Sequence, residues 1–123
     1  MVDDGTLATT AQVLLAIGAR ASAAQILEAN TNIWILMAES DIEKVLGNKV
    51  GIVANYGSVT ATHKQWIAMV ASYRAAFHGI NQDQNAWGLA TTQSKLSICN
   101  NIWKGFISDL TKNRADIVDR MGL

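Results

Sequence analysis

TNIWILMAESDIEKVLG, Thr31–Gly47, decides the fold class. Six apolar residues in a row, Ile33 to Ala38, run into Glu39, Asp41 and Glu43. Ile35, Ala38, Ile42, Val45 and Leu46 recur at spacings of three and four, the period of a helix with one face turned inward. The spacing predicts a helix from about Ala29 to Leu46, with Gly47 just past its end. An amphipathic helix needs one apolar stripe, and this segment is apolar all the way round. Trp34 and Met37 fall off the stripe. Either they meet another chain, or the helical phase is shifted by one or two residues and Trp34 is core.

The flanking sequence continues in the same class. There is no proline, alanine is abundant and β-branched runs are short, which favours helices. Thr9 or Thr10 caps a short helix that ends at Ile17, with Gly18 as the stop. Gly18–Leu27 reads as a connector or a loose lead into the next helix. Gly47–Thr60 holds three glycines and two asparagines, and its Val50, Ile52 and Val53 suit a short extended piece or hairpin arm. A third helix is expected from Thr60 or Thr62 to Gly79, with Trp66, Val70, Tyr73 and Phe77 at four, three and four. Asn81–Thr92 is a polar loop holding one large apolar residue, Trp87.

A fourth helix is expected from a Thr91 or Thr92 cap to about Leu110. Leu96, Cys99, Ile102, Trp103, Phe106 and Leu110 make its apolar face. Gly105 inside it costs about 1 kcal/mol relative to alanine, which a close helix crossing would justify. The expectation is an all-α domain, a small bundle of about four helices with a Gly-rich connecting insertion. Residues 1–8 form an N-terminal arm, 9–110 the bundle and 111–123 an extended or partly helical C-terminal tail. Ile117, Val118, Met121 and Leu123 are apolar in a segment that terminal position would leave loose.

Charge and residue chemistry exclude several function classes. The 123 residues fit one domain. Ten basic and ten acidic residues leave no net charge to attract nucleic acid or an anionic membrane. The distribution is uneven. Residues 1–62 carry six acids (Asp3, Asp4, Glu28, Glu39, Asp41, Glu43) against three bases, and residues 92–123 carry five bases (Lys95, Lys104, Lys112, Arg114, Arg120) against three acids. This asymmetry favours association of an acidic half with a basic half. MVDDGTLATT lacks the basic start and apolar core of a signal peptide. No stretch approaches the roughly 18–20 apolar residues that span a bilayer.

Catalytic and metal chemistry find no foothold. His63 and His78 are fifteen residues apart, hence about 22 Å along one helix, and His78 reads as a polar helix end favoured by the dipole. Glu39 and Glu43 lie one turn apart, but neither belongs to the Glu-x-x-His pair of di-iron bundles; they read as a solvated face. Cys99 is the single cysteine, and on an apolar face it reads as a small hydrophobe. No Gly-x-Ser-x-Gly elbow or phosphate loop occurs. The expectation is a non-enzyme with no catalytic, metal or cofactor site.

The order of elements resembles a family. A threonine-capped short helix and a loop precede TNIWILMAESDIEKVLG, in which Ile33, Ala38–Glu39 and Ile42 follow an apolar-xxxx-Ala-Glu-xx-apolar pattern. A Gly/Asn-rich insertion, ATHKQWIAMVASYRAAFHGIN and TTQSKLSICNNIWKGFISDLTKN complete the order. Over roughly Ala8 to Leu110 this is similar to the small helical head–tail adaptor, or head-completion, proteins of tailed bacteriophages. The resemblance implies a virion protein without enzymatic activity, made in the host cytoplasm. Such proteins form a ring, commonly of twelve copies, at the head–tail connector. The ring bridges the portal protein and the tail or tail-completion proteins and extends a channel through which DNA passes without sequence-specific binding. On that reading, the helical phasing assigns ring contacts to Trp34, Met37, Val50, Ile52, Val53 and Trp87, and portal docking to Ile117, Val118, Met121 and Leu123. The alternatives are a tail-completion or capsid-stabilising virion protein, or a small cytoplasmic helical binding or regulatory module.

Overall fold

A computed structural model describes residues 5–18, 28–46, 51–82 and 89–121. They form an all-α bundle with no strand among the described residues. Helix α1 is Thr10–Ile17, α2 Glu28–Leu46, α3 Ala61–Gln82 and α4 Leu89–Met121, with a 3-10 turn at Tyr56–Ser58.

Eight residues are too few for a helix to be stable alone, and α1 is closed at both ends. Thr9 Oγ1 accepts the Gln12 N–H at 3.1 Å, and Gln12 Oε1 accepts the Thr9 N–H at 2.9 Å, a reciprocal capping box. At the other end Gly18, at φ 108°, donates its N–H to the Leu14 carbonyl; the left-handed backbone there favours glycine. Lys95 of α4 donates Nζ–H to the Ile17 carbonyl at 2.7 Å, a cation on the negative end of the α1 dipole. Both the threonine cap and the glycine stop stand where the sequence placed them.

Helix α3 is the centre of the bundle and packs on α1, α2 and α4. A helix surrounded on three sides needs small residues so that its neighbours can approach. Accordingly Ala71, Ala75, Ala76 and Gly79 are buried, and Ile67, Val70 and Ile80 fill the spaces between them. Gly79 does not end the helix. The chain continues to Gln82 and buries Ile80 completely. A Cβ on Gly79 would stand 2.8 Å from the Trp34 ring, so the missing side chain is what admits the indole.

The core stripe of α2 is as expected: Ile35, Ala38, Ile42 and Leu46 are fully buried and Val45 packs against them. Trp34 joins that stripe at 5 % exposure. The segment before α1 is also core, since Leu7 and Ala8 are buried and residues 5–8 are fastened onto α2. The insertion is neither strand nor hairpin among its described residues. Ile52–Asn55 turn, and Ile52 is completely buried.

Helix α4 starts at Leu89, before the expected threonine cap, and passes Leu110 to reach Met121. Asn113, at φ −135° and ψ 27°, kinks it. Described residues of the expected tail are therefore helical, and Ile117 packs back onto the core. Cys99, Trp103, Phe106 and Leu110 are buried, with Leu96 and Ile102 half-buried beside them. Gly105 is not at a crossing. It is exposed, and nothing lies within 4 Å of where its Cβ would be.

Candidate interaction surface

The polar groups of the interior hold helices and connecting segments together. Glu39 is buried, not solvated as the sequence suggested. Its Oε1 accepts the N–H groups of Thr6 at 2.5 Å and Leu7 at 3.2 Å. A buried carboxylate needs such donors, and they clasp the segment before α1 onto α2. Gly5 fits there because a Cβ would overlap the Ile35 side chain. Glu43 Oε1 accepts the Val53 N–H at 3.4 Å, a looser tie to the insertion. One turn apart on α2, the two glutamates fasten two different chain segments.

Asp41 joins α2 to α3. Its Oδ2 accepts from Arg74 Nε at 2.9 Å and pairs with His78 Nε2 at 2.9 Å. His78 thus serves an inter-helix bridge, four residues before its helix ends. Burial pushes the Asp41 carboxyl up, but the hydrogen bonds and positive charge of Arg74 and His78 outweigh it and leave the group below its ordinary value. The Arg74 guanidinium lies 4.5 Å from the Trp103 ring centre and 5.0 Å from that of Phe77. Such cation–π contacts hold the arginine in place.

Burial pushes the Cys99 thiol up to about 11, so it stays protonated at neutral pH and is a poor nucleophile. His63 Nδ1 hydrogen-bonds Thr60 Oγ1 at 2.8 Å at the start of α3. Among the described residues, no three His, Cys, Asp or Glu side chains gather where they could hold a metal ion. None of their helices is long and apolar enough to cross a membrane.

The outer surface carries large apolar side chains. On α2, Ile33 is 54 % exposed, Leu36 48 % and Met37 36 %. Their i, i+3, i+4 spacing puts them on one ridge, opposite the core stripe. This resolves the all-round apolar run: Trp34, Ile35 and Ala38 face inward, and Ile33, Leu36 and Met37 face out. On α1, Leu15 is 83 % exposed. It lines an open groove of about 470 Å³ between α1 and α3, together with Met69, Tyr56, Tyr73 and Lys64. On α4, Ile98 is 52 % exposed.

The expected contact residues divide accordingly. Met37 is on the surface. Trp34 and Ile52 are buried in the chain's own core and offer a neighbour almost nothing. Trp34 went astray because the phase was set by aliphatic residues alone, whereas the indole reaches sideways into the space over Gly79. Val53 is half-buried. Val50, Trp87 and Leu123 lie outside the described residues, as do the side chains of Val118 and Met121. Ile117 is half-buried beside Trp66, His63 and Asp109 at a hollow of about 320 Å³ under the kink. Sequence reasoning missed Ile33 and Leu36 as outward residues, although their spacing with Met37 was a readable helical pattern.

Covering one half-exposed aliphatic side chain contributes roughly 1 kcal/mol, and association costs about 4–15 kcal/mol. The three-residue ridge alone therefore cannot hold a polar partner. It suits a partner that brings apolar groups of its own. Comparison with protein-family models, with curated proteins and with solved structures gives no match for this chain.

Proposed function

We propose that this chain is a structural subunit of a homo-oligomeric ring at the head–tail connector of a tailed-phage virion. The ring bridges the portal and the tail and extends the DNA channel. The observation that carries the assembly half of the reading is the ridge of Ile33, Leu36 and Met37 on a helix whose opposite face already completes a core. A monomer gains nothing from exposed side chains of this size at helical spacing, whereas a subunit uses them. The connector half rests on the sequence resemblance and on the balanced charge, ten basic against ten acidic residues, which suits a channel that lets DNA slide. Met37 remains a ring contact, now with Ile33 and Leu36. The chain beyond the Asn113 kink is the candidate portal-docking end, through Val118, Met121 and Leu123 with Ile117 anchoring it to the bundle.

Native mass spectrometry of the full chain, alone and with a purified phage portal oligomer, tests the reading. The expected result is a closed multi-copy ring, free or seated on the portal. A chain that stays monomeric in both settings overturns it.

A further inference from the structure

We infer that the outer ridge of α2 seats in the groove between α1 and α3 of a second copy of this chain. The inference rests on the ring-subunit reading and names the two faces that meet.

The groove is shaped for apolar side chains. Leu15, Ala16, Ala68, Met69 and Tyr73 line it, and Leu15 is the most exposed large apolar side chain among the described residues. Three polar side chains in its walls are already engaged within the chain. Tyr56 Oη donates to the Lys64 carbonyl at 3.0 Å, Ser72 Oγ donates to the Ala68 carbonyl at 2.6 Å, and Gln12 Oε1 accepts in the α1 capping box. The Lys64 ammonium lies 5.5 Å from the Tyr56 ring centre, held over the ring face. An apolar occupant therefore strands none of these groups. At about 470 Å³ the groove falls within the roughly 300–1,000 Å³ of binding clefts.

The α2 ridge is such an occupant. Ile33, Leu36 and Met37 stand at i, i+3 and i+4, the spacing with which a helix anchors itself in a groove. All three are exposed and uncharged, and the exposed Ala29 and Ser40 bound them along the same face. Among the described residues, none of α2 lines the groove, so a chain does not fill its groove with its own ridge.

The occupant is a second copy because this pairing covers both apolar faces of every subunit. A ridge packed on another ridge is an isologous contact that stops at a dimer and leaves Leu15 and Met69 bare. Ridge in groove is heterologous. Each copy gives its ridge to one neighbour and its groove to the other, and the series closes into a ring when the rotation allows. The area argues the same way. By their exposures, Leu15, Ile33, Leu36, Met37 and Met69 amount to roughly two to three whole aliphatic side chains, or about 200–300 Å² of apolar surface. A stable dimer buries about 800 Å² on each partner. One contact of this size is the centre of a weak pair, so a lasting assembly needs both faces of each copy occupied.

The test uses two variants of the full chain, Leu36→Glu on the ridge and Leu15→Glu in the groove. Both positions are exposed. Circular dichroism checks that helicity is kept, and Leu36→Gln with Leu15→Gln take their place if a charge costs it. Sedimentation velocity over a concentration series should show the wild type growing into multi-copy assemblies and each variant staying monomeric. An equimolar mixture should give a dimer and nothing larger, because the Leu36→Glu chain keeps its groove and the Leu15→Glu chain its ridge. Assembly kept by either variant, or a mixture that stays monomeric, overturns the inference and leaves the ring reading standing. A wild-type chain that is monomeric at every concentration overturns the inference, and monomeric also with portal it overturns the ring reading.

Discussion

Two glycines within neighbouring helices do opposite things. At Gly79, in the crossing of α2 and α3, the Trp34 ring stands where a side chain would be. At Gly105, on the outside of α4, that space is open. The first region is finished: indole, alanines and isoleucines fill it within one chain. The second is open: among the described residues nothing lies within 4 Å of where its Cβ would be. Glycine in a helix thus carries a meaning that only its surroundings supply. In this molecule the difference separates a glycine whose space is filled by a neighbouring helix from one whose space stands open.

The contrast breaks first at Trp34. Trp34→Ala should remove about 3–5 kcal/mol of stability, read as a fall in the urea midpoint, whereas Leu36→Ala on the outer ridge should change it by less than about 0.5 kcal/mol. Equal losses would mean that the two sides of α2 are not distinct. Next, Glu39→Ala should cost about 1–3 kcal/mol for each N–H left unsatisfied at Thr6 and Leu7, with amide exchange at those two residues quickened.

Gly79→Ala sharpens the comparison directly. Overpacking against Trp34 should cost about 1–3 kcal/mol, from which alanine's helix preference of about 1 kcal/mol is subtracted. The net loss should shrink when Trp34 is also replaced by leucine. Gly105→Ala should do the reverse and raise the thermal midpoint by the equivalent of about 1 kcal/mol.

Much of this could be read from the residues, and the failures have physical reasons. The α1 cap and stop rest on local chemistry, Thr9 with Gln12 and Gly18, and local chemistry is visible in sequence. The aliphatic stripes of α2 and α4 rest on spacing. Gly79 was read as a helix end and Gly105 as a close crossing because the sequence shows a glycine but not what approaches it. Glu39 looked solvated because its donors, the N–H groups of Thr6 and Leu7, come from a segment more than thirty residues away. Trp34 and Ile52 were placed at an interface on hydrophobic surplus, which counts apolar residues without saying which way they turn. The end of α4 was cut at Leu110 because Asn113 breaks the periodicity while the helix goes on past the kink.

The smallest expected effect is electrostatic. Asp41 is held below its ordinary value when folded, so its bridge to Arg74 and His78 stabilises the fold above about pH 4. That contribution is lost as the pH falls through the folded value. The stability difference between the wild type and Asp41→Asn should therefore be widest at neutral pH and narrow on acidification, as urea titrations at several pH values would show. A difference that does not change with pH would mean the bridge contributes no charge-dependent stability.

The central claim is that one face of α2 is filled within this chain and, as proposed, that its outer ridge is covered by another copy. Oxidative footprinting of Met37 tests it most directly, because Met37 lies on the ridge and is partly exposed in the single chain. Met37 should be protected in the wild-type chain and reactive in Ile33→Glu, whose substitution lies one turn away on the same ridge. Equal reactivity of Met37 in the two chains would contradict the claim.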